Sequence, residues 1–229
     1  MRFLDRHHAG RELAAALAGK IEGPAVVLAL PRGGVPVGLE IARALKAPLD
    51  LVMVRKIGAP GQPELALAAV ANGEHPELVV NRDVMRMTGA DEAWLEQEKA
   101  RELEEIARRR RRYLGDRERP PLEGRTVIVV DDGIATGATM LAALRAVRRA
   151  RPGRLVLAVP VAPPDTIARL EPEVDRVICL HRPRDFMAVG QFYEDFTQTS
   201  DEEVIAALAA APAAEEPAEE GSAEEGEES

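Results

Sequence analysis

The chain has 229 residues, 46% of them apolar, enough for one substantial domain with a proper core or for one domain with appendages. Thirty Lys and Arg stand against 39 Asp and Glu, a net charge of −9, but residues 211–229 hold eight Glu and no base, so the body is nearly neutral at 30 against 31. There is no apolar run long enough to span a bilayer and no apolar segment of the kind a secretory leader needs; the single cysteine, Cys179, excludes an intrachain disulfide, so a cytoplasmic protein is expected.

In chain order, a helix is expected from about His8 to Ala18 and a buried strand at Ala25 to Leu30. A loop, Pro31 to Pro36, opens a helix that runs to about Leu45, and another strand covers Leu49 to Val54. Ile57 to Glu64, with two Gly and two Pro, reads as a loop, and Leu65 to Ala71 pairs with Leu78 to Val80 as a hairpin across Asn72-Gly73. A long charged helix spans Asp91 to Tyr113, and strands follow at Thr126 to Val130, Leu155 to Val161 and Arg176 to Leu180. Helices at Leu141 to Ala150 and Asp165 to Leu170 separate those strands. Short apolar runs alternating with helices define an α/β class: a doubly wound, mainly parallel sheet flanked by helices. The domain is placed at residues 1–210. The Ala-, Glu-, Pro-, Gly- and Ser-rich tail, 211–229, cannot bury enough apolar surface to fold and is expected to be disordered.

The cations are 26 Arg against four Lys. The run Arg108 to Arg112 ends a helix that is rich in Glu early on, an order that suits the helix dipole. No aromatic residues interleave the run, so neither nucleic acid nor membrane is an expected partner.

The densest chemistry lies in Arg125 to Met140, RTVIVVDDGIATGATM. A strand ends in two carboxylates, Asp131 and Asp132, and a loop of small residues leads into a helix. Free N–H groups at a helix N-terminus form an anion site, and Gly137 and Ala138 let backbone approach the anion while Thr136 and Thr139 add hydroxyls. Two carboxylates beside such a nest suit a pair of hydroxyls, or Mg²⁺. A phosphate and a vicinal diol held together describe a ribose 5-phosphate.

VIVVDDGIATGAT resembles the phosphoribosyl-pyrophosphate signature of the type I phosphoribosyltransferases. It is neither a Walker A loop, since no Gly-Lys-Ser/Thr follows, nor the three-glycine dinucleotide fingerprint. The resemblance implies that Asp131 and Asp132 hold the ribose hydroxyls and that Ala135, Thr136, Gly137, Ala138 and Thr139 hold the 5-phosphate. It also implies a small hood over the site and Mg²⁺ carried in on the diphosphate, with Asp131 and Asp132 as its candidate protein ligands. The fifth position of the motif, acidic in enzymes for 6-oxopurines, is Ala135 here and resembles the adenine and uracil enzymes.

Ligands of such sheets bind outside the C-terminal ends of the strands, so the loops after Leu30 and Val54 should face the same crevice. After Leu30, Arg32 with Gly33 and Gly34 resembles the family's pyrophosphate loop; the residues alone also fit a glycine turn opening a helix. After Val54, Arg55 and Lys56 could neutralise a departing pyrophosphate, or simply cap a strand end. Of the seven aromatic residues, Phe186, Phe192, Tyr193 and Phe196 fall within eleven positions. Phe192, Tyr193 and Phe196 are the candidates for stacking a base, and the alternative is that they anchor the C-terminal segment. Phe3, Asp5 and Arg6 are candidates to complete the hood.

The reading is thus a Mg²⁺-dependent transferase that moves ribose 5-phosphate from phosphoribosyl pyrophosphate to a nitrogenous base, as in nucleotide salvage. Lys56, Arg32, Asp131 and Asp132 are its catalytic candidates, and a homo-oligomer is compatible with it. A non-catalytic regulator that binds the same diphosphate and a sugar-phosphate phosphohydrolase are the alternatives, and fold alone does not separate them.

Overall fold

The computed structural model describes residues 2–72 and 76–213. Its centre is a parallel sheet of β1 (Ala25–Ala29), β2 (Leu49–Leu51), β6 (Thr126–Val130), β7 (Arg154–Val161) and β8 (Arg176–His181), in the order β2-β1-β6-β7-β8. β1 and β6 pair in register from Ala25 opposite Thr126 to Ala29 opposite Val130. Alternation explains why these strands are apolar throughout. Val27, Ala29, Ile128, Val130, Val156 and Ala158 pack on one face, and Val26, Leu28, Val127, Val129, Leu155 and Leu157 on the other. The first face carries α1 (Arg6–Leu17), α2 (Gly34–Leu45) and α7 (Asp201–Ala209); the second carries α5 (Ala138–Arg149) and α6 (Pro164–Leu170). This is the doubly wound, mainly parallel architecture expected from the sequence.

The segment after β2 corrects the sequence reading. The strand expected at Leu49 to Val54 is two strands, and Val54 belongs to the second. Met53 donates its N–H to the Asn72 side chain at 2.7 Å, and Asn72 donates its own N–H to Met53 O at 2.9 Å, which redirects the chain without Gly or Pro. β3 (Val54–Ala59) then pairs antiparallel with β4 (Gln62–Ala71), and β4 with β5 (Glu77–Val80). The expected loop Ile57 to Glu64 is therefore the tip of a hairpin turning at Pro60-Gly61. There Gly58 is required: a Cβ on it would collide with the backbone of Pro63. The expected pairing of Leu65 to Ala71 with Leu78 to Val80 is present, with Ala68 opposite Val80 and Ala71 opposite Glu77. Gly73, part of the expected Asn72-Gly73 turn, lies outside the described residues, as does the tail from residue 214.

α3 (Arg82–Thr88) and α7 have no counterpart in the sequence reading. The long charged helix is present as α4 (Glu92–Leu114), opened by the Asp91 side chain accepting Trp94 N–H at 2.8 Å. Its arginine run disperses to different partners. Arg108 and Arg109 reach back to Glu105, Arg112 pairs with Asp201 at 2.9 Å, and Arg110 forks onto Asp50 at 2.7 and 3.0 Å. Arg110 and Asp50 are almost wholly buried and fix the helix to the sheet. Arg110→Ala would strand that carboxylate and should cost about 3–5 kcal/mol in urea unfolding. Asp50→Leu/Arg110→Met should recover most of the loss, because it removes both charges; failure to recover would show that the pair sets the helix position by geometry.

No described helix is long and apolar enough to cross a membrane.

Candidate functional site

The helices differ in how they are capped, and α6, opening on Pro163, lacks a side-chain cap as α2 and α5 do. α1, α3, α4 and α7 start on side-chain caps from Asp5, Asn81, Asp91 and Ser200. α2 and α5 start on Gly33 and Gly137 and carry no side-chain cap. The two starts lie at neighbouring positions, since β1 and β6 run side by side into them. At α2 the Gly34 and Val35 N–H groups already donate to Leu30 O and Arg32 O at 3.0 and 3.1 Å, and Pro36 has none, so it is the start of α5 that offers N–H groups to an anion. Gly137, at φ +77°, takes a backbone conformation that suits glycine, and a Cβ there would lie 2.9 Å from the Thr166 methyl. Thr166 Oγ1 donates to the Ala135 carbonyl at 2.7 Å and Arg169 to the Thr136 carbonyl at 3.0 Å. Those contacts from α6 restrain the loop's carbonyls; the sequence carried no local sign of them.

Asp131 and Asp132 follow β6 directly. Asp131 accepts the N–H of Asp132 at 2.8 Å. Its carboxyl is pushed well above the usual range, first by burial and then by the charge of Asp132. Burial also raises Asp132, and Arg6 opposes this from 2.8 Å. Arg6 Nη1 donates to Thr197 O at 2.7 Å, and the guanidinium lies 4.0 Å from the centre of the Phe196 ring. Tyr193 donates its hydroxyl to the Asp132 carbonyl at 2.6 Å. The loop from Arg32 to Gly34 closes on the same pair: a Cβ on Gly33 would collide with the Asp132 carboxylate, and one on Gly34 would lie 3.0 Å from Asp131 Cα.

The raised Asp131 has a signed consequence. Its folded value exceeds its unfolded one, so the fold binds the extra proton, and stability from this group is present at low pH. It is lost as pH rises from about 3.9 through the folded value. Asp131→Asn should remove that component. Melts of wild type and variant from pH 5 to 8 should diverge with rising pH, the variant becoming relatively more stable; parallel curves would contradict the assignment.

The structure brings Arg32, Gly33, Gly34, Asp131, Asp132 and the Ala135–Thr139 loop together, and it separates Arg55 from Lys56. Both lie in β3, not in a loop after it, and neighbouring strand residues face opposite ways. Arg55 faces α4 and binds Glu102 at 2.6 Å. Lys56 is exposed and pairs across the hairpin with Ala69, which packs on Ala142 of α5. It is therefore on the face that meets the helix behind the signature loop. Among the described residues Lys56 has no hydrogen bond or ion pair.

The aromatic candidates also divide. Phe192 and Tyr193 are buried, Phe192 stacked on Phe186 at 5.4 Å and Tyr193 between Phe3 and Phe196 at 5.5 and 5.1 Å. Neither offers a free ring face to a base, so they anchor the segment. Phe196, 37% exposed, is the most accessible of the three, but Arg6 lies over its ring at 4.0 Å and Tyr193 packs on it at 5.1 Å. Phe3 belongs to the same buried cluster, and Asp5 caps α1.

No group of three or more metal-ligating side chains occurs among the described residues. Asp132 is engaged by Arg6, which leaves Asp131 as the carboxylate available to a metal that arrives with its own oxygen ligands.

A strand, two acids and a small-residue loop at an uncapped helix start thus stand beside a second glycine loop. The model of the phosphoribosyl transferase domain matches residues 2–197, and the chain belongs to that family. Two proteins of Mycobacterium tuberculosis, of strains CDC 1551 and H37Rv, each named "Putative phosphoribosyl transferase", are 50% identical over 206 residues, 90% of this chain and 46% of theirs. The chain thus spans less than half the length of these relatives. The crystal structure of TT1426 from Thermus thermophilus is 49% identical with a TM-score of 0.77, covering 91% of this chain and 98% of that one.

Proposed function

We propose that the chain transfers ribose 5-phosphate from phosphoribosyl pyrophosphate to a nitrogenous base and releases pyrophosphate. The observation that carries this reading is the uncapped start of α5 at Gly137 beside Asp131 and Asp132, with the Gly33-Gly34 loop closed on the same two carboxylates. The N–H groups at Ala138 and Thr139, with the Thr136 and Thr139 hydroxyls, would hold the 5-phosphate. Asp131 would accept hydrogen bonds from the ribose hydroxyls, while Asp132, held by Arg6, would keep the pyrophosphate loop in place. Lys56, exposed on the hairpin face that meets α5, would meet the departing diphosphate. A Mg²⁺ ion on the diphosphate, with Asp131 as its candidate protein ligand, would supply further positive charge. The protein contributes orientation and preorganised charge as C1 of the ribose becomes cationic and a base nitrogen attacks. A non-acidic Ala135 agrees with a base other than a 6-oxopurine.

One observation favours the second reading, a binder without catalysis: Arg55 is engaged by Glu102, and Arg32 lies 3.7 Å from Asp201, so the pyrophosphate side is only partly open. Both readings require the ligand to bind. Calorimetric titration of the chain with phosphoribosyl pyrophosphate and Mg²⁺ should show saturable binding, lost in Asp131→Asn and in Thr139→Pro. Absence of binding to the wild type would refute both.

A further inference from the structure

Arg32, Arg108, Arg109, Arg112, Tyr113 and Asp201 line a cavity of about 230 Å³ between the glycine loop, α4 and α7. Two carboxylates serve its four guanidinium groups. Glu105 accepts from Arg108 at 2.8 and 2.9 Å and from Arg109 at 2.7 Å. Asp201 binds Arg112 at 2.9 Å, accepts the Tyr113 hydroxyl at 2.6 Å and lies 3.7 Å from Arg32. The cluster therefore holds two positive charges beyond its carboxylates. Arg32 directly precedes Gly33, the residue closed on Asp132, so one wall of the cavity comes from the loop that packs on that carboxylate.

We infer that this cavity receives a diphosphate group, gripped by Arg108, Arg109 and Arg112 of α4 together with Arg32. Guanidinium forks match phosphate oxygens in pairs, and a ligand with two or more negative charges balances the excess. The arginines of α4 thereby stand where Arg55, tied to Glu102, does not. The inference deepens the function proposed above and rests on it for one of two sources: the diphosphate is either the leaving end of phosphoribosyl pyrophosphate or a free di- or polyphosphate bound beside the sugar site. The residue class was visible in the sequence, but its convergence on Arg32 was not, because 76 positions separate Arg32 from Arg108.

The test is calorimetric titration of the full chain with inorganic pyrophosphate, and with sulfate as a control for loose ion binding. Arg108 and Arg112 have side chains 68% and 54% exposed, so Arg108→Ala/Arg112→Ala should fold normally, which an unchanged melting temperature checks. Pyrophosphate affinity should fall at least about tenfold in that variant, with ribose 5-phosphate affinity unchanged. Asp201→Asn, which removes a competing carboxylate, should tighten pyrophosphate. Competition between pyrophosphate and phosphoribosyl pyrophosphate identifies the substrate's leaving end as the source; simultaneous binding identifies a free diphosphate. Pyrophosphate binding no tighter than sulfate, or unaltered in the double variant, would overturn the inference. If the wild type binds pyrophosphate here but no phosphoribosyl pyrophosphate, the proposed transferase fails while the diphosphate site stands.

Discussion

Lys56→Ala should lower kcat by about 10²–10³ while weakening phosphoribosyl pyrophosphate by less than tenfold, with the acceptor base saturating. A preorganised cation aimed at charge that develops late in bond breaking contributes to the transition state more than to the ground state. Lys56 has the attributes of such a group. It is exposed, it has no partner among the described residues, and its hairpin face packs against α5 through Ala69 and Ala71. Arg55→Ala, by contrast, should act on stability, since Arg55 holds Glu102. Steady-state kinetics on both variants separate the roles. Equal kcat in wild type and Lys56→Ala would remove Lys56 from the chemistry and favour a binder.

Arg6→Ala should be among the most destabilising single changes in the chain, at about 3–5 kcal/mol by urea unfolding near pH 7.5. The side chains of Arg6 and Asp132 are 11% and 14% exposed, so the variant would leave a carboxylate shut away beside Asp131 with no cation. Asp132 would respond by holding its proton to higher pH, because Arg6 is the chief influence lowering it against burial. The sign follows from linkage: the folded value rises further above the unfolded one, so the variant loses stability as pH rises through that window. The deficit against wild type should be smaller at pH 5.5 than at pH 8. Arg6→Lys should recover part of it, keeping the charge but not the contacts to Thr197 and Phe196. A deficit that does not change with pH would mean that Arg6 acts by packing alone.

What could be read in advance depended on how local its cause was. β6 matches its expected span because five consecutive strand-forming residues are bounded by carboxylates, and both of its faces are buried. The signature loop was legible for the same reason, as every part of it lies within sixteen residues. The break between β2 and β3 was not, because a side chain makes the turn: Asn72 bonds Met53 from 19 positions away, with no Gly or Pro to mark it. The opposite facing of Arg55 and Lys56 follows from that missed turn. α7 did carry a signal in the capping pair Ser200 and Glu203, whose reciprocal bonds are 2.7 and 3.1 Å, but its Ala-rich body merges with the composition of the tail. Arg6 on Asp132 spans 126 positions and Arg32 beside Asp201 spans 169, and no pattern in a single sequence reports contacts of that kind. Phe192 and Tyr193 show the complementary limit: clustered aromatic residues fit either a stacking platform or an anchor, and only their packing, Phe192 on Phe186 and Tyr193 between Phe3 and Phe196, favours the anchor.

Pyrophosphate release measures most directly whether this site transfers a phosphoribosyl group. The chain would be incubated with phosphoribosyl pyrophosphate and Mg²⁺ across a panel of purine, pyrimidine and pyridine bases, with Asp131→Asn/Asp132→Asn as control. The expected result is release that depends on one base and is abolished in the control. No release with any base, in a chain that nevertheless binds phosphoribosyl pyrophosphate, would contradict the transferase and leave a ligand-binding regulator.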